Sequence, residues 1–340
     1  MRMLILSGLL FIVLVSGCVD QTQQPLVKDG NDQYPAVVNN TIEQLKFFEK
    51  RSDQAVRLTD CYPKSCQNPA FSPDSNELLF TRFLNGYNKG PSELVVLNLE
   101  TNEEKVVVKG DVDNVNVPYG SWIGNEIVFS RDGKETNEIF IINDDGSNLR
   151  QLTDHSGPAY IEPVFNPTDA NFIVFEQSID NNPHNLALYS RKLQRVFTLT
   201  EDQKYDDRLP SWSSDGKKIL WQRSEIGKDD WKVFAADIAL QNSPYLKNIK
   251  RVTDGPDDTD NSWTWDGNVL SSRTGNGNVP NIFLLADWMW YSVTNGIKED
   301  GAPSQSPNKK WIAFESHIGD ENSQSDIWIT GFIDKYSGTN

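Results

Sequence analysis

The chain has 340 residues, and its 48 Asp and Glu against 32 Lys and Arg give a formal net charge of −16 at pH 7. So acidic a composition lacks the basic footprint that phosphate binding requires, which argues against nucleic acid as a partner and against charge-driven attachment to anionic membranes. Length alone allows one domain or two, because all-β domains can exceed about 200 residues.

The N-terminal end has the composition of an export signal. Arg2 precedes an apolar run from Met3 to Val15, and the small residues Ser16 and Gly17 follow it, which is the order found in secretory signal peptides. As a helix this run would span roughly 20 Å, whereas the hydrocarbon core of a bilayer is roughly 30 Å thick. We therefore predict that residues 1–17 are a cleaved signal peptide.

Residues 14–18, Leu-Val-Ser-Gly-Cys, resemble the lipobox of prokaryotic lipoproteins. The resemblance implies acylation of Cys18, and the alternative is an ordinary signal peptide with a chance cysteine. Two or more acyl chains anchor a protein stably, since each buried methylene contributes about 0.8 kcal/mol. We expect a lipid anchor on the extracytoplasmic side, periplasmic or at the cell surface, with residues 18–45 as its polar tether.

Two further cysteines, Cys61 and Cys66, stand close together in the sequence. An exported chain folds in an oxidising compartment, so a local disulfide is the expected state of this pair. Zinc would need more ligands than two thiols and three scattered histidines, His155, His184 and His317, readily supply. Redox catalysis usually uses a tighter Cys-x-x-Cys spacing.

One pattern then recurs six times. Each copy has an anchor residue, usually aromatic and usually preceded two positions earlier by proline, followed by a polar turn and an apolar strand. The copies cover residues 69–80, 119–129, 163–175, 210–221, 261–270 and 303–314. Their anchors, spaced 42 to 51 residues apart, are Phe71, Trp122, Phe165, Trp212, Trp263 and Gln305. Periods of this size are typical of propeller blades.

Two more strands follow in each copy, and the last ends in a Leu-Thr or Val-Thr pair, with Val107-Val108 as the exception. Four strands joined by tight turns form an antiparallel sheet, and sheets stacked radially cover one another. We predict an all-β, six-bladed β-propeller of four-stranded antiparallel blades over residues 46–331, with a tail at 332–340. The pair Leu58-Thr59 precedes the first copy and the last copy stops near Gly331, so the N-terminal strand is expected to close the last blade.

The Pro-x-Trp-Ser, Asp-Gly, Ile-x-Phe and Leu-Thr elements of these copies resemble the repeats of TolB-like propellers. The resemblance implies the fold and says little about activity. The polar segment before residue 46 is too short for the N-terminal α/β domain that TolB itself carries. We therefore expect a lipoprotein form of the propeller without that domain.

When the ends of the second strands are aligned, four copies have an arginine at the same position. These are Arg82, Arg131, Arg223 and Arg273, with Gln177 and Ser316 in the other two copies. A ring of guanidinium groups could clamp a carboxylate or sulfate of a partner. The alternative is that each arginine pairs with an acid on the same face of the propeller, for which the candidates are Asp60, Asp154, Glu162, Asp207, Asp258, Asp260 and Asp300.

The densest acidic run covers residues 254–260 and contains Asp258 and Asp260. Its oxygen ligands could hold Ca²⁺, but their spacing is not that of an EF-hand, and a solvated loop is the default interpretation. No cofactor is otherwise expected. Trp288 and Trp290 fall at the turn between a third and a fourth strand, where they either pack within the blade or form an exposed aromatic patch.

The leading hypothesis is a monomeric, non-enzymatic binding or scaffold module that engages a protein or polysaccharide of the cell envelope through its loops near the axis. The rival is a carbohydrate-active lyase or hydrolase with an acidic or metal site on the axis. A metal-dependent lyase of the oligogalacturonate type needs clustered histidines, so convergence of His155, His184 and His317 would favour it. A serine hydrolase is disfavoured because the chain has no Gly-x-Ser-x-Gly elbow.

Overall fold

A computed structural model describes residues 45–110, 114–118, 120–178, 183–274, 279–317 and 324–332, together with the backbone of residues 26 and 27. The predicted signal peptide, Cys18 and nearly all of the tether and tail lie outside these described residues. Within them the chain forms strands and turns, and no helix is long and apolar enough to cross a membrane.

The described strands are numbered β1 to β27 in chain order. The first fourteen are β1 (Leu26–Val27), β2 (Glu49–Lys50), β3 (Val56–Arg57), β4 (Ser65–Phe71), β5 (Glu77–Phe83), β6 (Ser92–Asn98), β7 (Glu104–Val108), β8 (Val115–Asn116), β9 (Trp122–Ile123), β10 (Glu126–Asp132), β11 (Asn137–Asn143), β12 (Arg150–Gln151), β13 (Ala159–Phe165) and β14 (Phe172–Ser178). The others are β15 (Asn185–Ser190), β16 (Arg195–Thr198), β17 (Tyr205–Trp212), β18 (Lys218–Glu225), β19 (Lys232–Ala239), β20 (Tyr245–Arg251), β21 (Thr259–Trp263), β22 (Val269–Arg273), β23 (Asn281–Ala286), β24 (Met289–Ser292), β25 (Asp300–Gln305), β26 (Trp311–His317) and β27 (Ser325–Gly331).

These strands form six sheets that follow one another along the chain, which confirms the six-bladed propeller. Blade 1 is β4–β7, blade 2 is β8–β12, blade 3 is β13–β16, blade 4 is β17–β20, blade 5 is β21–β24, and blade 6 is β25–β27 with β3 and β2. Three details differ from the prediction of four strands per blade. Blade 6 has a fifth strand, β2, which pairs with β3. The first strand of blade 2 is split into β8 and β9 around Pro118 and Gly120, and β1 adds a parallel fifth strand to blade 5.

The ring closes as the sequence predicts. Strand β3 pairs antiparallel with β27, with Val56 opposite Ile329 and Arg57 opposite Trp328. The next residue, Leu58, donates its backbone N–H to the carbonyl of Ile327 at 2.8 Å. An N-terminal strand therefore completes the last blade, and hydrogen bonds take the place of a covalent link between the ends of the ring.

The apolar residues pack into six clusters, one between each pair of neighbouring blades. Leu97 of blade 1 and Ile329 of blade 6 share one cluster, for example, and Val164 of blade 3 and Trp221 of blade 4 share another. A blade alone would leave both faces in water, so each sheet depends on its neighbours for burial. The ring is thus held together by six similar interfaces rather than by a single central core.

The Leu-Thr pair has a specific structural role. The threonine hydroxyl accepts a hydrogen bond from a backbone N–H of the third strand, and it does so at about the same distance in five blades. The bonds run to Thr59 from Ile327 (2.9 Å), to Thr153 from Ile139 (3.0 Å), to Thr200 from Leu186 (2.9 Å), to Thr253 from Val233 (2.9 Å) and to Thr294 from Ile282 (3.0 Å). Each hydroxyl thereby ties the loop that enters the next blade to the strand behind it.

The proline of the repeat marks a β-bulge. Register shifts interrupt the pairing of first and second strands in five blades, and the residue before the proline position has positive φ, as at Asn68 (56°) and Glu162 (54°). A bulge leaves one backbone N–H outside the ladder, and proline has no N–H to lose. The bulged residues face the axis of the ring, so the repeat itself determines what lines the channel.

Candidate functional site: the propeller axis

The bulged segments of five blades and Pro118 of the split first strand of blade 2 meet in a small cavity on the axis, of about 40 Å³, which we call the axial cavity. Its lining residues are Asn68, Pro118, Glu162, Leu209, Pro210, Asp260, Asn261 and Ala302. The left-handed backbone at Glu162 and Asp260 is unusual for residues with a side chain and is maintained only where the surrounding structure imposes it. The fold therefore holds two carboxylates on the wall of the axial cavity.

Three carboxyl groups at the axis have perturbed pKa values. Burial, together with the charges of Glu176, Asp260 and Glu315, raises the pKa of Glu162 to about 8. Burial and the charge of Asp260 raise the pKa of Glu315 to about 7, and burial chiefly raises that of Asp260 to about 6. Like charges that share a poorly solvated site resist ionisation. The axis thus favours either protons or a cationic group.

Glu315 joins this cluster from the second strand of blade 6. Its Oε2 accepts the backbone N–H of Asn68 in blade 1 at 3.0 Å, and its Oε1 accepts the hydroxyl of Tyr87 at 2.9 Å. Tyr87 lies in the loop from β5 to β6, and its ring packs against His317 with centroids 4.4 Å apart. The charge of Glu315 and burial raise the pKa of Tyr87, so its hydroxyl stays a donor.

Glu176 makes the equivalent contacts between blades 3 and 4. Its Oε1 accepts the backbone N–H of Leu209 at 2.6 Å, and its Oε2 lies 2.5 Å from Nδ1 of His184. In blade 4 the equivalent residue, Gln222, accepts the N–H of Asp260 through its amide oxygen at 3.0 Å. These acceptors satisfy the N–H groups that the bulges free, so part of the axial charge has a structural use.

The face that carries the loops into each first strand and the loops from each second to third strand is called the loop face here. Tyr87 and His184 lie in, or at the end of, second-to-third strand loops, and both reach axial carboxylates. The carboxylate cluster is therefore connected to the loop face, for which the sequence analysis predicts binding.

The four arginines of the common register have partners within their own blades. Arg223 Nε lies 2.6 Å from Asp207 Oδ1, and its guanidinium stacks over the ring of Tyr205. Arg273 lies 3.2 Å from the buried Asp258 and 4.3 Å from the ring centroid of Trp290. Their side chains are only 11% and 12% exposed, which limits their access to a partner.

The first two blades use other partners. Arg82 pairs with Glu93 at 2.7 Å and also contacts Glu104 on the outer strand, while Arg131 lies over the ring of Phe140. In blade 3, Gln177 donates to the hydroxyl of Thr198 at 3.2 Å. A role of these five positions in clamping a partner remains a prediction.

Blade 6 lacks the arginine and receives one from the N-terminal segment. Arg51 donates to both carboxylate oxygens of Asp300 at 2.8 Å and to the hydroxyl of Ser316 at 3.2 Å. Ser316 occupies the register position of the arginines, and Asp300 is its partner on the first strand. A second ion pair holds Arg51 to Asp53 at 2.6 Å. The segment that closes the ring thus also supplies blade 6 with the charged pair that its own repeat lacks.

The acidic run divides between two environments. Asp258 is fully buried and accepts the N–H of Gly255 at 2.9 Å, whereas Asp260 lines the axial cavity. Burial raises the pKa of Asp258, and the nearby Arg273 offsets part of this effect. Asp257 accepts the backbone N–H of Thr274 at 2.8 Å. In the described part of the chain, no three His, Cys, Asp or Glu side chains are placed to hold one metal ion.

The three histidines engage different neighbours. His155 contacts Glu138 at 2.8 Å, and His184 and His317 bind Glu176 and Tyr87 as described above. The convergence that would favour a lyase is therefore not found among the described residues. The other local predictions are settled as follows: the Cys61–Cys66 disulfide is confirmed, Trp290 is buried, and Trp288 is 65% exposed at the turn before it.

Sequence reasoning missed the axial cluster as a unit. The sequence indicates Glu162 only as an ion-pair partner for the arginines, and it marks neither Glu315 nor Glu176. A usable signal existed, because the residue before the repeat proline is the bulged residue at the axis. Aligning that position alone would have placed Glu162 and Asp260 on the channel wall.

Six blades, five of them with a bulged first strand, and an acidic axis define a six-bladed β-propeller with a candidate site on its axis. Residues 54–270 match the sequence model of the TolB beta propeller domain. The match covers more than half of the chain, and the protein belongs to this family.

Comparison with solved structures agrees on the fold. Oligogalacturonate lyase from Vibrio parahaemolyticus aligns with a TM-score of 0.57 at 14% identity, over 86% of this chain and 97% of the lyase. TolB from Acinetobacter baumannii aligns with a TM-score of 0.54 at 14% identity, over 80% of this chain and 64% of TolB. Puromycin hydrolase aligns at 0.53 and 15% identity, over 74% of this chain and 43% of the hydrolase. Among curated proteins, no sequence matches the chain. Identities this low show a shared fold and no more.

Proposed function

We propose that this protein is an extracytoplasmic binding propeller, anchored to the membrane by lipid at Cys18, which engages a cationic group of an envelope protein or polysaccharide at the loop face of its axis. The observation that carries the proposal is the group of axial carboxyls with raised pKa values, Glu162, Asp260 and Glu315. An inserted ammonium or guanidinium group would compensate their charge in a poorly solvated site.

The geometry supports binding more than catalysis. Glu315 and Glu176 accept hydrogen bonds from backbone N–H groups of the next blade, and these bonds fix their side chains. Fixed side chains suit a preorganised recognition site. The rival lyase would need a metal cluster, and the described residues provide no set of three ligands for one. The extracytoplasmic location rests on the signal and lipobox pattern and on membership of the family.

The test is a pull-down from detergent-solubilised envelopes with the lipidated protein, compared with the double variant Glu162→Gln with Asp260→Asn. Both substitutions keep shape and remove charge. We expect a stoichiometric partner that the double variant loses and that Glu103→Gln, an exposed acid on an outer turn, retains. A variant with Arg82, Arg131, Arg223 and Arg273 changed to alanine tests the alternative clamp. Equal capture by wild type and double variant would refute the axial site.

Proton release gives a second, independent readout. A cation that binds at carboxyls with raised pKa values displaces their protons, so affinity for the captured partner should rise between pH 6 and pH 8. Calorimetry in two buffers of different ionisation enthalpy measures the protons released. A pH-independent affinity for wild type would contradict the proposal even if a partner is found.

A further inference from the structure

The opposite end of the axis opens into a second, larger cavity. It lies at the face formed by the turns between first and second strands, called the turn face here, and its volume is 280 Å³. We call it the funnel. Its lining residues are Phe71, Pro73, Gly120, Trp122, Ile123, Val164, Phe165, Pro167, Trp212, Ser214, Trp263, Thr264, Trp265, Ser304, Gln305 and Pro307. All six blades contribute, through their anchor positions and the turns that follow.

The funnel has no charged side chain in its lining, although the chain carries 80 charged residues of the Asp, Glu, Lys and Arg types. Aromatic rings and prolines form most of the wall. A charged ligand would find no counter-ion here, and an anionic one would also be repelled by the net charge of −16. The occupant that fits this wall is uncharged and has apolar faces.

Three lining residues carry hydrogen-bond donors that find no acceptor among the described residues. They are Nε1 of Trp122, Nε1 of Trp263 and Nε2 of Gln305. Trp122 is 7% exposed, Gln305 is 5% exposed and Trp263 is half-buried, and the donor nitrogen itself is buried in all three residues. Buried donors without acceptors are rare, and each one points to a partner that the protein itself does not supply.

The orientation of Gln305 is fixed by its neighbour. Its Oε1 accepts the backbone N–H of Trp265 at 2.7 Å, and its carbonyl accepts Nε1 of Trp265 at 3.2 Å. The amide therefore presents its NH₂ group as the remaining donor. Elsewhere in the wall, Trp212 Nε1 donates to the carbonyl of Val164 at 3.1 Å and is satisfied. Some donors of the funnel wall are therefore satisfied within the protein, and the three donors named above are not.

Trp265 is a residue of the funnel wall that the repeat does not account for. It stands two residues after its anchor, where other blades have Pro73, Pro167, Ser214 and Pro307. A tight turn needs no indole at this position. Trp265 is half-buried, and it widens the aromatic wall beside Gln305.

From these features we propose that the funnel binds one uncharged pyranose unit of a glycan. Ring and hydroxyl oxygens of a sugar accept hydrogen bonds from fixed indole and amide donors, and its C–H faces pack on aromatic rings. The volume is near the lower end of small-molecule sites, about 300 Å³, which suits a single sugar unit better than an extended chain. This site is on the face opposite the proposed partner site, and the inference does not depend on that function.

The experiment uses intrinsic tryptophan fluorescence and saturation-transfer NMR with the folded protein. The probes are methyl glucoside, methyl galactoside, methyl mannoside and N-acetylglucosamine, with galacturonate as the acidic counterpart and a neutral proline-rich peptide as the alternative occupant. We expect saturable binding of at least one neutral sugar and none of galacturonate. Failure of every neutral sugar to bind, or tighter binding of the peptide, would overturn the proposal.

Three variants locate the binding. Gln305→Glu keeps an acceptor for Trp265 and replaces the donor by a carboxylate oxygen, and Trp265→Ala shortens the wall; we expect each to weaken sugar binding at least about tenfold. The control is Trp288→Ala, which removes an exposed tryptophan far from the axis and should leave affinity unchanged. Undiminished binding in both funnel variants, with circular dichroism that confirms folding, would place the sugar elsewhere.

Discussion

The two ends of the axis are built from neighbouring positions of one repeat, yet they differ in charge. The axial cavity is lined by bulged residues such as Glu162 and Asp260, whereas the funnel is lined by anchors such as Trp212 and Phe165. Anchors also pack between blades, so that requirement keeps them large and apolar. Bulged residues are constrained in backbone conformation and not in side chain, which leaves them free to carry function.

The largest loss of stability is expected at the loop-face end, where an ion pair fixes the closing segment to blade 6. Arg51→Ala would leave Asp300 buried without its bidentate partner, and we expect unfolding free energy to fall by about 3–5 kcal/mol in urea denaturation. The control is Arg195→Ala, an exposed arginine of an outer strand. A loss no greater than in the control would mean that the pair does not support the closing segment.

At the turn-face end, Trp212→Ala should lower the free energy of unfolding by about 3 kcal/mol, because the indole fills an interblade cluster and donates to Val164. The loss should be the same at pH 5 and pH 8, since no ionisable group lines the funnel. Thermal and urea unfolding at both pH values measure it. A loss that varies with pH would show that the two ends are coupled rather than separate.

The axial acids should make stability depend on pH with a defined sign. The pKa of Glu162 in the folded chain, about 8, lies above its ordinary value of 4.5. The folded state therefore binds this proton more tightly, so the resulting stability is fully present below about pH 4.5 and is lost as pH rises to about 8. We expect Glu162→Gln to be more stable than wild type at pH 8 by about 2 kcal/mol and nearly equal to it at pH 5.

Urea denaturation at the two pH values checks this expectation, with Glu103→Gln as the control for removal of an exposed charge. Asp260 and Glu315 remain in the variant, so some pH dependence should persist. An identical pH dependence in wild type and Glu162→Gln would show that Glu162 is well solvated or paired with a cation in solution.

The smallest effect is expected for Trp265→Ala. The residue is half-buried on a turn and makes one hydrogen bond through its ring, so its removal should lower the free energy of unfolding by less than about 1 kcal/mol. Together with Trp212→Ala, this variant separates funnel residues that hold blades together from those that only line the cavity. A loss as large as that of Trp212→Ala would make Trp265 a structural residue.

Much of the fold follows from the sequence because each blade meets the same physical requirements. The proline of the repeat lacks the N–H that a bulge would leave unpaired, and the threonine of the Leu-Thr pair binds a fixed backbone N–H. The position of Leu58 and Thr59 before the first copy, with the last copy stopping near Gly331, sufficed to predict closure. These are local rules, and local rules are visible in a single chain.

The site was less predictable because it is assembled across the ring. Glu162 and Asp260 share the bulged position of blades 3 and 5, but Glu315 comes from the second strand of blade 6, so no single repeat position marks the three as neighbours. Arg51 supplies blade 6 with a guanidinium group from outside the repeat, which an alignment of the copies cannot reveal. The arginine register was visible, but its acidic partners could only be assigned from distances.

The closure of the ring has a mechanical consequence. If the N-terminus is held at a membrane, tension on the protein first loads the pairing of β1 with β24 of blade 5 and then residues 49–57, ahead of every blade-forming copy. Once β1 is released, the pairing of β3 with β27 and the ion pair of Arg51 with Asp300 would bear the load. The segment that closes the ring without a covalent link is also the segment through which the load enters, so continued pulling on the anchor would act on blade 6 before blades 1 to 4.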